Sequence, residues 1–243
     1  EFMDRLKKSG RNFAEAIKAR SKSSGKNKFP VPSLIAEIKR ASPSHGRLKA
    51  GLDLKETINV YNKYASSISV LTDKKFFNGS LEDLDYASRL TKLPILRKDF
   101  IIDKYQIYES RFHNADAILL VSSILGKNTM RRFINLSKSY GMQCLVEAHT
   151  ESELKKALNS GAGIIGINNR DLETLKIDTE KTLSLAKLIP RNKIAVSESG
   201  IESREYVKSI SGKVDAVLIG TYFMKSDNIE ESIKLKMKPY VIL

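Results

Sequence analysis

Strand and helix signals alternate eight times along this chain, and that alternation restricts the fold more than any other feature. Short apolar runs near residues 34–39, 68–72, 94–98, 117–121, 143–147, 164–168, 194–197 and 216–219 read as strands. Helical periodicity follows each of them, near 54–65, 81–90, 105–113, 129–140, 152–160, 179–189, 203–211 and 228–235. In the first, Leu54, Ile58, Tyr61 and Ala65 form the apolar stripe of a helix laid on a sheet. Gly141, Gly161 and Gly212 fall just past helical segments, where a left-handed residue closes a helix. Alternation at this spacing implies parallel strands joined by right-handed crossovers. Eight units in about 210 residues fit an α/β fold of the closed (β/α)8 type, a TIM barrel, better than an open sheet. A basic amphipathic segment near 10–22 and a Ser/Gly/Lys-rich stretch precede the first strand.

Five of the strands run out into polar residues at the same end. Leu34-Ile35-Ala36 leads to Glu37 and Lys39, Leu93-Pro94-Ile95 to Lys98, and Leu145-Val146 to Glu147. Ile164-Ile165-Gly166-Ile167 leads to Asn168 with Arg170 behind it, and Ile194-Ala195-Val196 to Ser197, Glu198 and Ser199. Burying a charge costs several kcal/mol unless a partner offsets it. Charges repeated at one end of successive strands therefore mark the carboxyl rim of a barrel, where such folds keep their active sites. Residues two apart in a strand share a face, so Glu37 and Lys39 point together. The expected site collects Glu37, Lys39, Lys98, Glu147, Asn168 and Glu198. The bland alternative is a ring of salt bridges closing the barrel.

Strands seven and eight end in Ser199-Gly200 and Gly220-Thr221, the latter before a short apolar turn. Glycines admit a phosphate close to the backbone, and the loops after these strands are the usual phosphate site of such barrels. Gly161-Ala162-Gly163-Ile164-Ile165-Gly166 matches GxGxxG but follows a helix and enters a strand, so it reads as a helix stop rather than a dinucleotide fingerprint. His45, His113 and His149 show no metal-ligand spacing, and no metal or other cofactor is expected. Cys144, the single cysteine, lies on the strand face opposite Glu147 and reads as a packing residue.

The formal charge of +14 raises the possibility of a nucleic-acid partner. Residues 1–28 hold nine Lys or Arg against three Asp or Glu, while the rest is mixed. No zinc-finger spacing, helix-turn-helix or aromatic RNA-binding signature accompanies the charge, so it reads as attraction for anions such as phosphorylated metabolites. One cysteine leaves no internal disulfide, which favours a cytoplasmic setting. No apolar run reaches the ~18–20 residues of a membrane span. We expect a monomer with a small phosphorylated substrate, no nucleic acid and no membrane.

The same residues resemble indole-3-glycerol phosphate synthases. The resemblance covers about Pro32 to Met224. It is carried by Ile35-Ala36-Glu37-Ile38-Lys39-Arg40-Ala41-Ser42-Pro43-Ser44, Ser69-Val70-Leu71-Thr72-Asp73, Phe76-Phe77-Asn78-Gly79-Ser80, Leu96-Arg97-Lys98-Asp99-Phe100, Gly166-Ile167-Asn168-Asn169-Arg170-Asp171-Leu172 and Ser197-Glu198-Ser199-Gly200-Ile201. It implies closure of the ring of 1-(2-carboxyphenylamino)-1-deoxyribulose 5-phosphate with loss of carbon dioxide and water. Lys98 would protonate the ketone, from a crowded setting expected to lower its pKa. Lys39 would hold the substrate carboxylate or assist proton transfer. Glu147 would act in the dehydration with Glu37 as partner, while Asn168 and Glu198 position the intermediate. Arg170 would organise the rim, Ser42 hold the anthranilate carboxylate, and Phe77, Phe100 and Leu218 pack the aromatic ring. Ser199, Gly200, Gly220 and Thr221 would take the phosphate. The resemblance further implies that residues 1–30 are an extension over the barrel mouth and residues 31–243 the catalytic barrel. A related phosphoribosylanthranilate isomerase would carry a cysteine where the first strand here has Lys39, which argues against that alternative.

Overall fold

A computed structural model of the chain describes residues 6–22, 31–44, 46–48 and 51–237. Eight parallel strands close into a barrel: β1 (Ser33–Ile38), β2 (Ser67–Leu71), β3 (Ile95–Lys98), β4 (Ala117–Val121), β5 (Gln143–Ala148), β6 (Ile164–Asn168), β7 (Ile194–Glu198) and β8 (Ala216–Ile219). Each pairs with the next, and β8 returns to β1 with Ser33 opposite Ala216 and Ala36 opposite Ile219. Every strand overlaps its expected range.

The helices are α1 (Phe13–Lys22), α2 (Leu54–Tyr64), α3 (Leu81–Leu90), α4 (Lys104–Phe112), α5 (Lys127–Ser139), α6 (Glu151–Asn159), α7 (Glu180–Leu185), α8 (Arg204–Ile210) and α9 (Ile229–Met237), with single turns at Lys74–Phe77 and Thr221–Met224. Their starts are written in the sequence. Asp53, Ser80, Asp103, Thr150 and Ser203 each accept a first-turn N–H at the start of α2, α3, α4, α6 and α8. Each such cap is typically worth about 1 kcal/mol. Gly141, Gly161 and Gly212 all have positive φ, as their places after helices require. α7 is shorter than its periodicity predicts. It tightens into a 3-10 turn at Ala186–Leu188, and Ile189 is extended ahead of Pro190 because proline disfavours a helical residue before it.

Strand alternation divides the core in two. Leu34, Ala36, Val70, Ile118, Cys144 and Val146 pack outward under the helices. Ile35, Leu96, Leu119, Leu145, Val196 and Leu218 fill the barrel interior. Cys144 therefore sits opposite Leu145 and Glu147, and burial pushes its thiol up to about 12, which makes it a packing residue.

The N-terminal extension departs from expectation. Phe13 and Ile17 of α1 are fully buried in the interior cluster. They enter it from the strand starts, not the mouth. Ala14 N–H donates to the Gln143 side chain at the head of β5, and Ser33 at the head of β1 donates to the Ile17 carbonyl. Arg11 pairs with Asp116, just before β4, at 2.7 Å. The described part of the extension is thus a plug for the barrel's amino end, opposite the mouth it was expected to cover. An amphipathic stripe records that a helix packs, but not at which end of a barrel. Residues 1–5 and 23–30 lie outside the described residues.

Candidate active site

The carboxyl ends of the strands open on a cavity of about 350 Å³. Glu37, Lys39, Lys98, Glu147 and Asn168 all line it. So do Ser42, Phe77, Phe100, Arg170 and Leu218, and, from the ends of β7 and β8, Ser199, Gly200, Gly220 and Thr221. Glu198 alone of the expected set does not reach the cavity. It is fully buried behind Lys98. His45 lies outside the described residues.

The charged side chains form one connected chain. Glu37 stands between the lysines, with Oε1 2.9 Å from Lys39 Nζ and Oε2 3.5 Å from Lys98 Nζ. Lys98 Nζ donates to Glu198 Oε2 at 2.6 Å. Burial alone would raise the Glu37 pKa, but the two lysines outweigh it and hold the carboxyl below its usual range. Burial also raises Glu147, and His149, Lys98 and Asn168 together reverse that shift. Glu198 goes the other way. Desolvation and its fellow carboxylates Glu147 and Glu37 lift it to about 7 in spite of Lys98. Three carboxylates facing two lysines cannot all ionise cheaply, and the one with no solvent contact yields.

Lys98 corrects an expectation. Burial acts to lower its pKa, as anticipated, but Glu198, Glu37 and Glu147 outweigh burial and raise it. The resting side chain is a firmly held ammonium. Sequence places carboxylates near it but does not count how many reach it.

Two glycines make room for these carboxylates. A Cβ on Gly166 would collide with Glu198, and one on Gly220 with Glu37. The glycine read as part of a helix stop is therefore also the socket of a buried acid. Below Lys98, Arg97 binds Asp99 at 3.0 Å and Glu109 at 2.9 Å and fixes the end of β3. Beyond β6, Arg170 donates to the Leu175 carbonyl at 2.9 Å and bridges Ile177. This folds residues 170–177 back over the mouth. Ile177 packs on Gly200, whose φ of +71° a side chain would strain.

Sequence reasoning passed over several lining residues. Asp73, Asp99, Glu202 and Tyr222 also face the cavity. His149, set aside for lack of metal spacing, lies 3.3 Å from Glu147. Its spacing of two from Glu147, with Glu153 four further on, was the available signal. No group of three or more His, Cys, Asp or Glu side chains is placed to hold a metal among the described residues.

Comparison with known proteins fits this geometry. A family model described as indole-3-glycerol phosphate synthase matches residues 1–235. The chain belongs to the indole-3-glycerol phosphate synthase family. An indole-3-glycerol phosphate synthase of Endomicrobium trichonymphae is 45% identical over 226 residues, covering 92% of this chain and 85% of that protein. One of Caldanaerobacter subterraneus subsp. tengcongensis is 50% identical over 206 residues, covering 83% and 80%. Among solved structures, KGPDC from Streptococcus mutans in complex with D-R5P matches with a TM-score of 0.66 at 15% identity, covering 86% of this chain and 97% of that one. That likeness shows the barrel fold alone. The chain is an indole-3-glycerol phosphate synthase of tryptophan biosynthesis, a decarboxylating lyase. Its substrate is a small phosphorylated molecule.

Proposed function

We propose that the groups at the strand ends divide the ring closure as follows. The substrate's anthranilate ring lies against Phe77, Phe100 and Leu218, and Lys39 and Ser42 hold its carboxylate. Ser199, Gly200, Gly220 and Thr221 take the phosphate at the other side, and Arg170 holds the loop above. Fixing both ends brings the ring carbon that bears the carboxylate to the ketone carbon, which converts binding into proximity.

As the carbon–carbon bond forms, the ketone oxygen gains charge and takes a proton from Lys98. Carbon dioxide leaves, and its electron pair restores the aromatic ring. The new hydroxyl then departs as water, with Glu147 moving the proton and Asn168 and Glu37 keeping the intermediate in place. Lys98 gives up a tightly held proton only if its partners relax. Glu198, lifted to about 7, supplies that freedom. At neutral pH it spends much of its time uncharged, and each protonation removes a hold on Lys98. The contact that Glu198 protonation weakens is the shortest one Lys98 makes, at 2.6 Å.

The observation that carries this reading is the unbroken run Lys39–Glu37–Lys98–Glu198 along a cavity walled by aromatic and aliphatic side chains. The test is Lys98→Met. Methionine keeps most of the volume and removes the proton. Loss of a positioned general acid costs about 10²–10⁴ in rate. Fluorescence of the indole product should show kcat down by that order, with substrate still bound. A well-folded variant working near the parent rate would remove Lys98 from the mechanism.

A further inference from the structure

Glu147 has a neighbour that the roles above leave unused. His149 follows it by two residues, past the end of β5, and is buried. It does not line the cavity. Its Nε2 lies 3.3 Å from Glu147 Oε1, and its Nδ1 lies 3.1 Å from Glu153 Oε2. The same Glu153 oxygen accepts the His149 backbone N–H at 2.8 Å, so carboxylate and ring are locked together. Nε2 itself is buried with no aligned hydrogen bond, which leaves it facing Glu147. The Glu153 side chain is 19% exposed, against 4% for that of Glu147. The three groups make a line from the cavity wall to the first turn of α6 at the surface.

That line answers a problem set by the site. Glu147 is buried and meets the open cavity only along its wall, and a substrate seated as proposed above would cover it. A proton that Glu147 takes up or gives away during the reaction needs another route. We propose that His149 is a positioning and proton-relay residue, which orients Glu147 and exchanges its proton with solvent through Glu153. The proposal rests on the proton-transfer role given to Glu147 above. In one direction the Glu147 proton passes to Nε2 as the Nδ1 proton passes to the Glu153 carboxylate, which releases it to water. The reverse sequence reprotonates Glu147.

The surroundings favour this exchange. His149 is faced by Glu147 from its own strand and by Glu153 from α6. Glu147 is faced in turn by Lys98 from β3, Asn168 from β6 and Glu198 from β7. Burial acts to lower the His149 pKa, but the two carboxylates outweigh it and raise it above the usual histidine value. The two carboxylates therefore make the buried ring a better proton acceptor than a free imidazole.

The experiment compares His149→Gln, His149→Ala and Glu153→Gln with the parent across pH. Glutamine keeps a polar side chain beside Glu147 but cannot titrate. His149→Gln is expected to lower kcat by about 10-fold or more, to leave KM within about 2-fold, and to erase the inflection that His149 gives the kcat–pH profile. Glu153→Gln should lower kcat less and move the same inflection to lower pH. Free imidazole should restore turnover to His149→Ala in proportion to its concentration. A folded His149→Gln with parental kcat and an unchanged profile would overturn the relay. So would a slow His149→Ala that imidazole does not rescue and whose profile matches the parent. Glu147→Gln separates the two readings. If it stays active, the role of Glu147 itself fails. If it is inactive while His149→Gln is normal, only the relay fails.

Discussion

Glu37 and Gly220 share one space. They end neighbouring strands, β1 and β8, and a Cβ on Gly220 would lie within 2.9 Å of the Glu37 Cβ and Cδ. The carboxylate that separates Lys39 from Lys98 can sit there only because residue 220 has no side chain. Gly220 therefore shapes the charged cluster as well as the rim proposed for the phosphate.

This changes what a substitution at Gly220 reports. Read from the sequence as a phosphate contact alone, a bulkier residue should weaken binding more than turnover. With Glu37 in the way, Gly220→Ala forces a shift between the two, which we expect to displace the carboxylate from its lysines. A displacement of about 1 Å at a reacting centre can cost 10²-fold. We expect kcat to fall by about that much, together with a rise in KM. A Gly220→Ala enzyme with parental kcat would show that the position of Glu37 does not matter to the chemistry.

The plug at the other end should behave in the opposite way. Phe13 is fully buried among Ile35, Leu96 and Leu145 at the amino end of the barrel. Cutting a buried phenylalanine to alanine typically costs about 3–5 kcal/mol. Phe13→Ala should lose stability on that scale in denaturant unfolding. Below its melting range, its kcat/KM should stay within about 2-fold of the parent. A large loss of kcat/KM in a fully folded variant would tie α1 to the mouth after all.

How far the sequence carries the structure depends on which contacts a pattern can express. Strand and helix periods are local, so all eight units were legible, and strand-end charge gave the rim. The side chains at Glu37, Lys39, Lys98, Glu147 and Asn168 reach the cavity because period two fixes their face. What stayed hidden depends on approach between distant segments. The end of the barrel that α1 closes is one example. The sockets at Gly166 and Gly220 are another, since each is defined by an acid on the adjacent strand. The upward shift of Lys98 belongs to the same class, because its sign depends on how many carboxylates come within range.

Glu198 gives a pH test with a definite sign. Its folded value of about 7 stands above the ordinary 4.5. Between those values the unfolded chain has released the proton that the folded chain keeps. The folded state binds more protons there, so stability falls as pH rises. The contribution is present in full below 4.5 and is lost as pH passes about 7. Glu198→Gln removes this titration. Its melting temperature minus that of the parent should therefore move in the variant's favour between pH 4.5 and about 7.5. A difference that stays flat across that window would mean that Glu198 ionises normally in the fold.

The phosphate assignment needs a probe that leaves Glu37 alone, and Thr221 provides one. It lines the cavity at the start of the single turn Thr221–Met224. Gly200 is unsuitable, because Ile177 occupies the place of its side chain. Thr221→Asp would set a carboxylate against the substrate phosphate. Two like charges at about 4 Å repel by ~1–4 kcal/mol, depending on how much water intervenes. The lower end of that range is still about 5-fold in affinity, and the middle is over 10-fold. In the proposed arrangement the chemical step lies at the far side of the substrate, so KM should rise by ~10-fold or more while kcat stays within about 3-fold. Thr221→Asn has similar size without the charge and should stay close to the parent. Inhibition by inorganic phosphate should weaken in Thr221→Asp in parallel with KM. If Thr221→Asp loses kcat at parental KM, or if phosphate inhibits both enzymes equally, the phosphate is bound elsewhere.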